Sequence, residues 1–551
     1  MTIFFFIATN FILFLIGRGI VICFNLKSQD FYFLENKKFI NLELKYFYPI
    51  IALFLIGNLN VFLNFFIPIN RNLVFIFLFL FLLLNLKYKS INLLNLKNFQ
   101  YFVLIPFILS ISSYSINLAH DAGLYHLNTQ NWIRSEKIVF GLSNLHSRYG
   151  YSSIFDYISS SFWLNNNFIF LHFINLIFIN LFFYFLLSNL LERKNSTYKD
   201  GSFLVIIFGV LDNFGLGGGR NGFLDIEAVT KFDTVFAIMY FFTALGLIEL
   251  VKTNLENKEY FLFLTTFLIF TVQLRIFGYT LLFLYAIYLF RFRSNIINYI
   301  YSPLIRFLSI SYFSWLAKNF MLTSCLIFPQ TFTCLNLFSW SNKSAAILEL
   351  DDLKKFHINY SLGENFFIWF EKWILKPINY SVLVNFLISF FVIFFLNRFL
   401  FKKKTQNKDF DYLPFFFVFF SLIVWVLTSP GVRFILGLLI FSIFMLSNNY
   451  EEFDFRLKFI RKYSQILLLI PFIFSLIFLL RLDYYSNFLN NYKEEILLSP
   501  PNVEYENNSL GWGLVTSDGS ANCWIQLECL PKAKKINLIE KNSYKFIVLK
   551  N

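Results

Sequence analysis

The densest run of chemically capable side chains is Ala119-His120-Asp121-Ala122-Gly123-Leu124-Tyr125-His126. A carboxylate flanked by two imidazoles can take a proton from a hydroxyl or hold a divalent cation, since it combines a base with neutral nitrogen ligands. Asp121 is the candidate base and His126 its proton partner. His120, Asp121 and His126 together are a candidate ligand set for a divalent metal ion. The same spacing suits a structural role in which Asp121 caps an interfacial helix from Ala122 to Ser135, with Tyr125 and Trp132 at the headgroups.

Cations follow in three further places. Gly141-Leu142-Ser143-Asn144-Leu145-His146-Ser147-Arg148-Tyr149-Gly150 has the glycines and small polar residues of a re-entrant loop. His146 and Arg148 there suit a phosphate or lipid headgroups equally. Lys318, in Trp315-Leu316-Ala317-Lys318-Asn319, and Arg433, in Pro430-Gly431-Val432-Arg433-Phe434, suit a lipid phosphate or pyrophosphate. Arg433 also fits simple snorkelling from a helix end. The run Gly215-Leu216-Gly217-Gly218-Gly219-Arg220 lacks the Gly-Lys-Ser/Thr ending of a phosphate loop and reads as a turn ahead of Lys231 and Asp233. Gln273 and Arg275 interrupt an apolar stretch, as a buried membrane charge or as an interface position. The charged stretch with Glu349, Asp351, Asp352, Lys354 and Lys355 reads as a solvated face or a docking surface for partners.

The elements that must position these groups are apolar. Hydrophobic residues make up 57% of the 551 and charged ones only 15%. That leaves too little polar surface to cover a water-soluble globule, so lipid is the expected solvent and the bilayer the expected partner. Net charge is +14, but the cations sit in short loops and no basic stripe interleaves with exposed aromatics, which excludes a nucleic-acid surface. Apolar runs at 3–23, 46–68, 72–86, 101–118, 167–190, 202–216, 232–251, 260–274, 277–290, 298–315, 379–398, 411–428, 431–447 and 464–481 predict an all-α polytopic protein with about 12–14 transmembrane helices. The first run has no basic leader or small-residue cleavage site and is expected to be a retained helix.

Placing 119–166 outside the cytoplasm puts most loop cations inside: Lys37, Lys38 and Lys45, then Lys97, Lys252, Lys258, Arg291 and Arg293, the cluster Lys402-Lys403-Lys404, and Arg461 with Lys462. Six segments result. Transmembrane helices occupy 1–118, 167–315 and 379–482. Between and after them come the extracytoplasmic or re-entrant loop 119–166, the extracytoplasmic loop 316–378 and a small extracytoplasmic tail, 483–551. Cys325, Cys334, Cys523 and Cys529 all fall on that outer side, where disulfides are permitted. Cys325–Cys334 with Cys523–Cys529 is one of three connectivities, and unpaired thiols are a fourth outcome. The tail, with Trp512, Ser517, Asp518, Gly519 and Trp524, is short for a core of its own and is expected to pack as a cap.

These motifs, in this order, resemble a family of bacterial multi-span proteins related to the GT-C glycosyltransferases. The likeness rests on Asp121-x-x-x-Tyr125-His126, Gly141-Leu142-x-Asn144-Leu145-His146-x-Arg148-x-Gly150, Trp315-x-x-Lys318-Asn319 with Cys325 and Pro329, Pro430-x-x-Arg433-Phe434, and Cys523-Trp524 with Cys529. It departs from the pattern in the four spans ahead of the acidic loop, in a lysine at 318, and in Leu530 between Cys529 and Pro531. The resemblance implies a multi-pass enzyme of the bacterial inner (plasma) membrane, serving the cell envelope. It would transfer a sugar from a polyprenyl-phosphate donor to an extracytoplasmic acceptor, with Asp121 as the essential acidic residue. Two other readings compete: a non-catalytic component of cell-surface polysaccharide assembly, and a transporter or flippase of a lipid-linked saccharide.

Overall fold

A computed structural model describes the chain except residues 25–36, 70, 88–92, 94, 166, 193–195, 214–225, 254–257, 294–298, 300, 358–365, 401, 404–411, 429, 452–463, 481, 495, 508–512, 516–521, 531–535 and 550–551. The glycine run ending at Arg220, together with Lys404, Arg461, Lys462, Trp512, Ser517, Asp518, Gly519 and Pro531, lies outside the described residues. So do the side chains of Lys354, Lys355, Lys402 and Lys403.

The chain is mostly helical and its sheets are minor. Among the described residues four helices are long and apolar enough to cross a membrane: Thr2–Phe24, Leu44–Asn64, Ile169–Leu190 and Asp233–Lys252. Ile169–Leu190 and Asp233–Lys252 are apolar all round and buried nearly all round, which makes them the centre of the bundle. Thr2–Phe24 packs against Tyr48–Asn64, and Gly17 permits it, since a Cβ there would collide with the Tyr48 carbonyl.

The other apolar runs form shorter or interrupted helices. The 101–118 run is split into a π-helical stretch at Gln100–Leu104, an α-helix at Ile105–Ser110 and a 3-10 turn at Ile111–Tyr114. Extended Arg275 separates Lys258–Leu274 from the helical stretch Ile276–Arg291. Outward faces on Leu413–Thr428 and Pro377–Leu400 leave Phe415, Phe419, Ile423, Phe391 and Phe395 exposed. Apolar area of that kind is stable in contact with lipid rather than water.

The two ends of the bundle differ. At one end Lys37 pairs with Glu259, Lys38 with Glu192, and Lys97 with Glu43. At the other end the segments that carry the candidate chemistry meet. Asn64, closing its helix, donates to the Ile133 and Glu136 carbonyls, and Ala119 N–H donates to Val229. Gly141 N–H donates to Met321, and Asn144 donates to the Trp340 and Ile547 carbonyls. The tail joins them there. Its hairpin, Ile536–Lys541 with Tyr544–Leu549, turns through left-handed Asn542 and Ser543 and pairs with Phe140 at its edge. Cys325 is bonded to Cys334, and Cys523 to Cys529. Cys23 is exposed.

Candidate functional site

The acidic turn is built on an irregular helix. His120 and Asp121 begin it, Ala122–His126 is π-helical, and Leu127–Ser135 continues as α-helix. The wide turn adds a residue to the ring of hydrogen bonds and is favoured only where surrounding contacts hold it. Here the contact is Trp524. Its indole lies against Gly123, where a Cβ would stand 2.7 Å from the ring, and the Trp524 backbone N–H donates to the Gly123 carbonyl at 2.7 Å.

Asp121 makes no cap hydrogen bond to the helix it opens. Its carboxylate is part-exposed and faces Arg148, Oδ1 to Nη1 3.4 Å. Arg148 enters from the 3-10 turn Ser147–Tyr151, lies over the Tyr125 ring at 5.9 Å, and on its far side stands 3.9 Å from Glu349. Ser147 Oγ donates to Glu349 at 2.5 Å. Burial raises the Glu349 carboxyl above its ordinary value, against the opposing pull of Ser147 and Arg148. The sequence placed Glu349 on a solvated or partner-docking face, whereas the Lys343–His357 helix turns it inward onto Arg148.

Arg433 reaches the same rim from Val432–Ile435. Its guanidinium is 44% exposed and 3.9 Å from Asp233, with Tyr125 and Asp121 within electrostatic range. Asp233 opens the Asp233–Thr253 helix and is held closely by Arg275, whose guanidinium also lies 4.5 Å from the Phe434 ring centre. The Arg275 that interrupts an apolar stretch is therefore an ion-paired residue at the bundle's end. Burial raises the Tyr125 phenol, with Asp121 reinforcing the shift and Arg148 and Arg433 opposing it. Asp121, Arg148 and Arg433 thus form a charged rim about Tyr125, which Arg433 extends to the Asp233–Arg275 pair.

Two expected residues are placed elsewhere. His126 turns away from Asp121, and its Nδ1 stands 3.0 Å from Asp156 Oδ1, with both side chains buried. Asp156 also accepts from Gln130 at 3.2 Å and, through Oδ2, from the Ser153 N–H at 3.0 Å, closing a capping box on Ile154–Ser160. The Ser153-x-x-Asp156 spacing is visible in sequence as a capping signal; the second oxygen's use by a histidine 30 residues away is not. Lys318 is fully buried, donates to the Ser152 carbonyl at 2.6 Å and packs over the Trp315 ring at 3.5 Å. As placed it holds the scaffold under the rim and does not face an outside phosphate.

The metal set fares the same way. His120 is exposed, Asp121 pairs with a guanidinium and His126 with Asp156. Among the described residues no three His, Cys, Asp or Glu side chains stand where they could hold a metal ion together. The proposed His120, Asp121 and His126 ligand set does not fit a metal ion.

Residues 1–440 match the family described as "Domain of unknown function (DUF8201)". The chain belongs to that family. No curated protein matches it, and no solved structure does. Asp121, Arg148, Arg275, Glu349 and Arg433 all lie inside the DUF8201 match, while Trp524 and the Cys523–Cys529 bridge lie beyond it.

Proposed function

We propose that this DUF8201 protein is a multi-pass protein of the bacterial inner membrane and a GT-C-type glycosyltransferase that uses a polyprenyl-phosphate sugar donor. The carrying observation is the rim itself, where a part-exposed carboxylate, Asp121, and two half-exposed guanidiniums, Arg148 and Arg433, gather around one tyrosine. Exposed apolar faces and four long apolar helices support a lipid surrounding. Lys37, Lys38 and Lys97 at the far end support placing that end in the cytoplasm and the rim outside.

The chemistry follows from the charges. A lipid-linked sugar straddles the headgroup boundary, so a charged rim at the helix ends meets its phosphate while the prenyl chain stays among the apolar faces. Asp121 takes the proton of an acceptor hydroxyl as that oxygen bonds to the anomeric carbon. The bond from that carbon to the donor's phosphate oxygen breaks, and polyprenyl phosphate departs with the electron pair. Arg148 and Arg433 stabilise the charge that develops on it. Holding both reactants at one rim supplies proximity as well.

The test is release of polyprenyl phosphate from synthetic polyprenyl-phosphate sugars by the purified protein in nanodiscs. Sugar-dependent release coupled to a glycosylated acceptor supports the reading. Transport of an intact lipid-linked saccharide with no covalent product would replace it with the flippase reading.

A further inference from the structure

A groove of about 510 Å³ opens beside the acidic turn, and among the described residues its lining has no ionisable side chain. Its lining includes Trp524, Asn117, Asn502, Ser499 and the Pro500-Pro501 pair. The walls come from three segments, and each is fixed. Asn117 and Leu118 are bound to Val229 through the backbone. The stretch at 496–498 is latched by Asn167, which donates to the Ile496 carbonyl at 3.1 Å and accepts from Leu498 N–H at 3.1 Å, while Phe168 N–H donates to the Leu498 carbonyl. Trp524 is held by the Cys523–Cys529 bridge, by the Gly123 carbonyl and by Tyr505, whose hydroxyl donates to the Cys523 carbonyl. Among the described residues nothing in the protein engages the side chains of Asn117, Asn502 or Ser499, and all three are exposed.

We infer that this groove binds a neutral saccharide, the acceptor of the transfer, on the Trp524 indole. A saccharide ring offers an apolar C–H face and an edge of hydroxyls. The groove supplies an aromatic plate for the first, and amides and a hydroxyl that both donate and accept for the second. An anionic ligand would find no cation among the described lining residues and a prenyl chain would leave the amides unpaired. The position matters as much as the lining: the indole that forms the wall also supports Gly123, two residues from Asp121. A bound saccharide therefore lies beside the turn that bears the proposed base. The inference rests on the transferase reading, which it deepens by naming the acceptor class.

The experiment is saturation-transfer NMR on the full chain in nanodiscs, with cellotetraose, chitotetraose and mannotetraose as neutral probes and tetragalacturonate as the anionic one. Undecaprenyl phosphate binding is measured on the same preparations. A neutral tetrasaccharide is expected to bind, and Trp524→Ala to weaken it about tenfold. Asn502→Ala and Asn117→Ala, which remove rim side chains the fold does not use, are expected to weaken it as well. They keep the question decidable where the tryptophan variant misfolds. Equal binding by the asparagine variants, or preference for tetragalacturonate, overturns the inference. No neutral binding with lipid-phosphate binding intact overturns it too, and leaves the transferase reading standing. Loss of both in the wild-type protein overturns both.

Discussion

The Nδ1 of His126 stands 3.0 Å from Oδ1 of Asp156, buried beneath the turn that begins with Asp121. The pair therefore belongs to the scaffold of the rim, and Asp121 is part-exposed with Arg148 as its partner. Asp156 serves a histidine, a glutamine and a helix cap at once. Removing it as Asp156→Ala strands all three donors, and a loss of about 3 kcal/mol is expected. Thermal unfolding in detergent checks this, and a melting temperature equal to the wild type would remove the pair from the scaffold.

The two arginines beside Asp233 should separate cleanly. Arg275 is its close partner, and Asp233 is only 8% exposed. Arg275→Ala leaves that carboxylate with Arg433 alone, 3.9 Å away, and is expected to cost about 3 kcal/mol of stability. Arg433→Ala should fold normally and bind polyprenyl phosphate about tenfold less tightly. Measuring melting temperature and lipid-phosphate binding for both variants settles it. The reverse pattern would exchange their roles.

Glu349 gives the Lys343–His357 helix a pH dependence of definite sign. Burial raises its folded value above the ordinary 4.5, against Ser147 and Arg148, while Asp352 adds to the rise and Tyr151 lowers it. The protonated form is thus favoured in the folded helix. Its contribution is full below the ordinary value and is lost as pH rises through the folded one. Wild-type protein should melt progressively earlier across that window relative to Glu349→Gln, which cannot ionise. Parallel curves for the two proteins would place the titration elsewhere.

Much of the helical body was legible in the sequence, because apolar runs such as 167–190 and 232–251 allow little besides a helix in lipid. Interruptions were harder to read. Arg275 adopts an extended conformation between two helices because its guanidinium is anchored on Asp233, a pairing across 42 residues. Candidate site residues divided in the same way. Asp121 stood out as a carboxylate directly after an apolar run, and Arg148 as a cation in a glycine-bearing re-entrant loop. Glu349 looked like one member of a solvated charge run, since nothing in Glu349-Leu350-Asp351-Asp352 marks which carboxylate turns inward. Lys318 looked like an outer cation, yet the Ser152 carbonyl and the Trp315 ring take it into the interior. Each discrepancy is a long-range pairing that local pattern does not encode.

The most direct measurement compares donor binding with donor turnover in Asp121→Asn. The substitution keeps the size of the side chain and removes the base. The variant in nanodiscs is expected to bind polyprenyl-phosphate sugar within about threefold of the wild type while transfer falls about a thousandfold or more. Full transfer by a correctly folded Asp121→Asn protein would contradict the account, because the other two carboxylates placed at the rim, Asp233 and Glu349, are buried against their own partners.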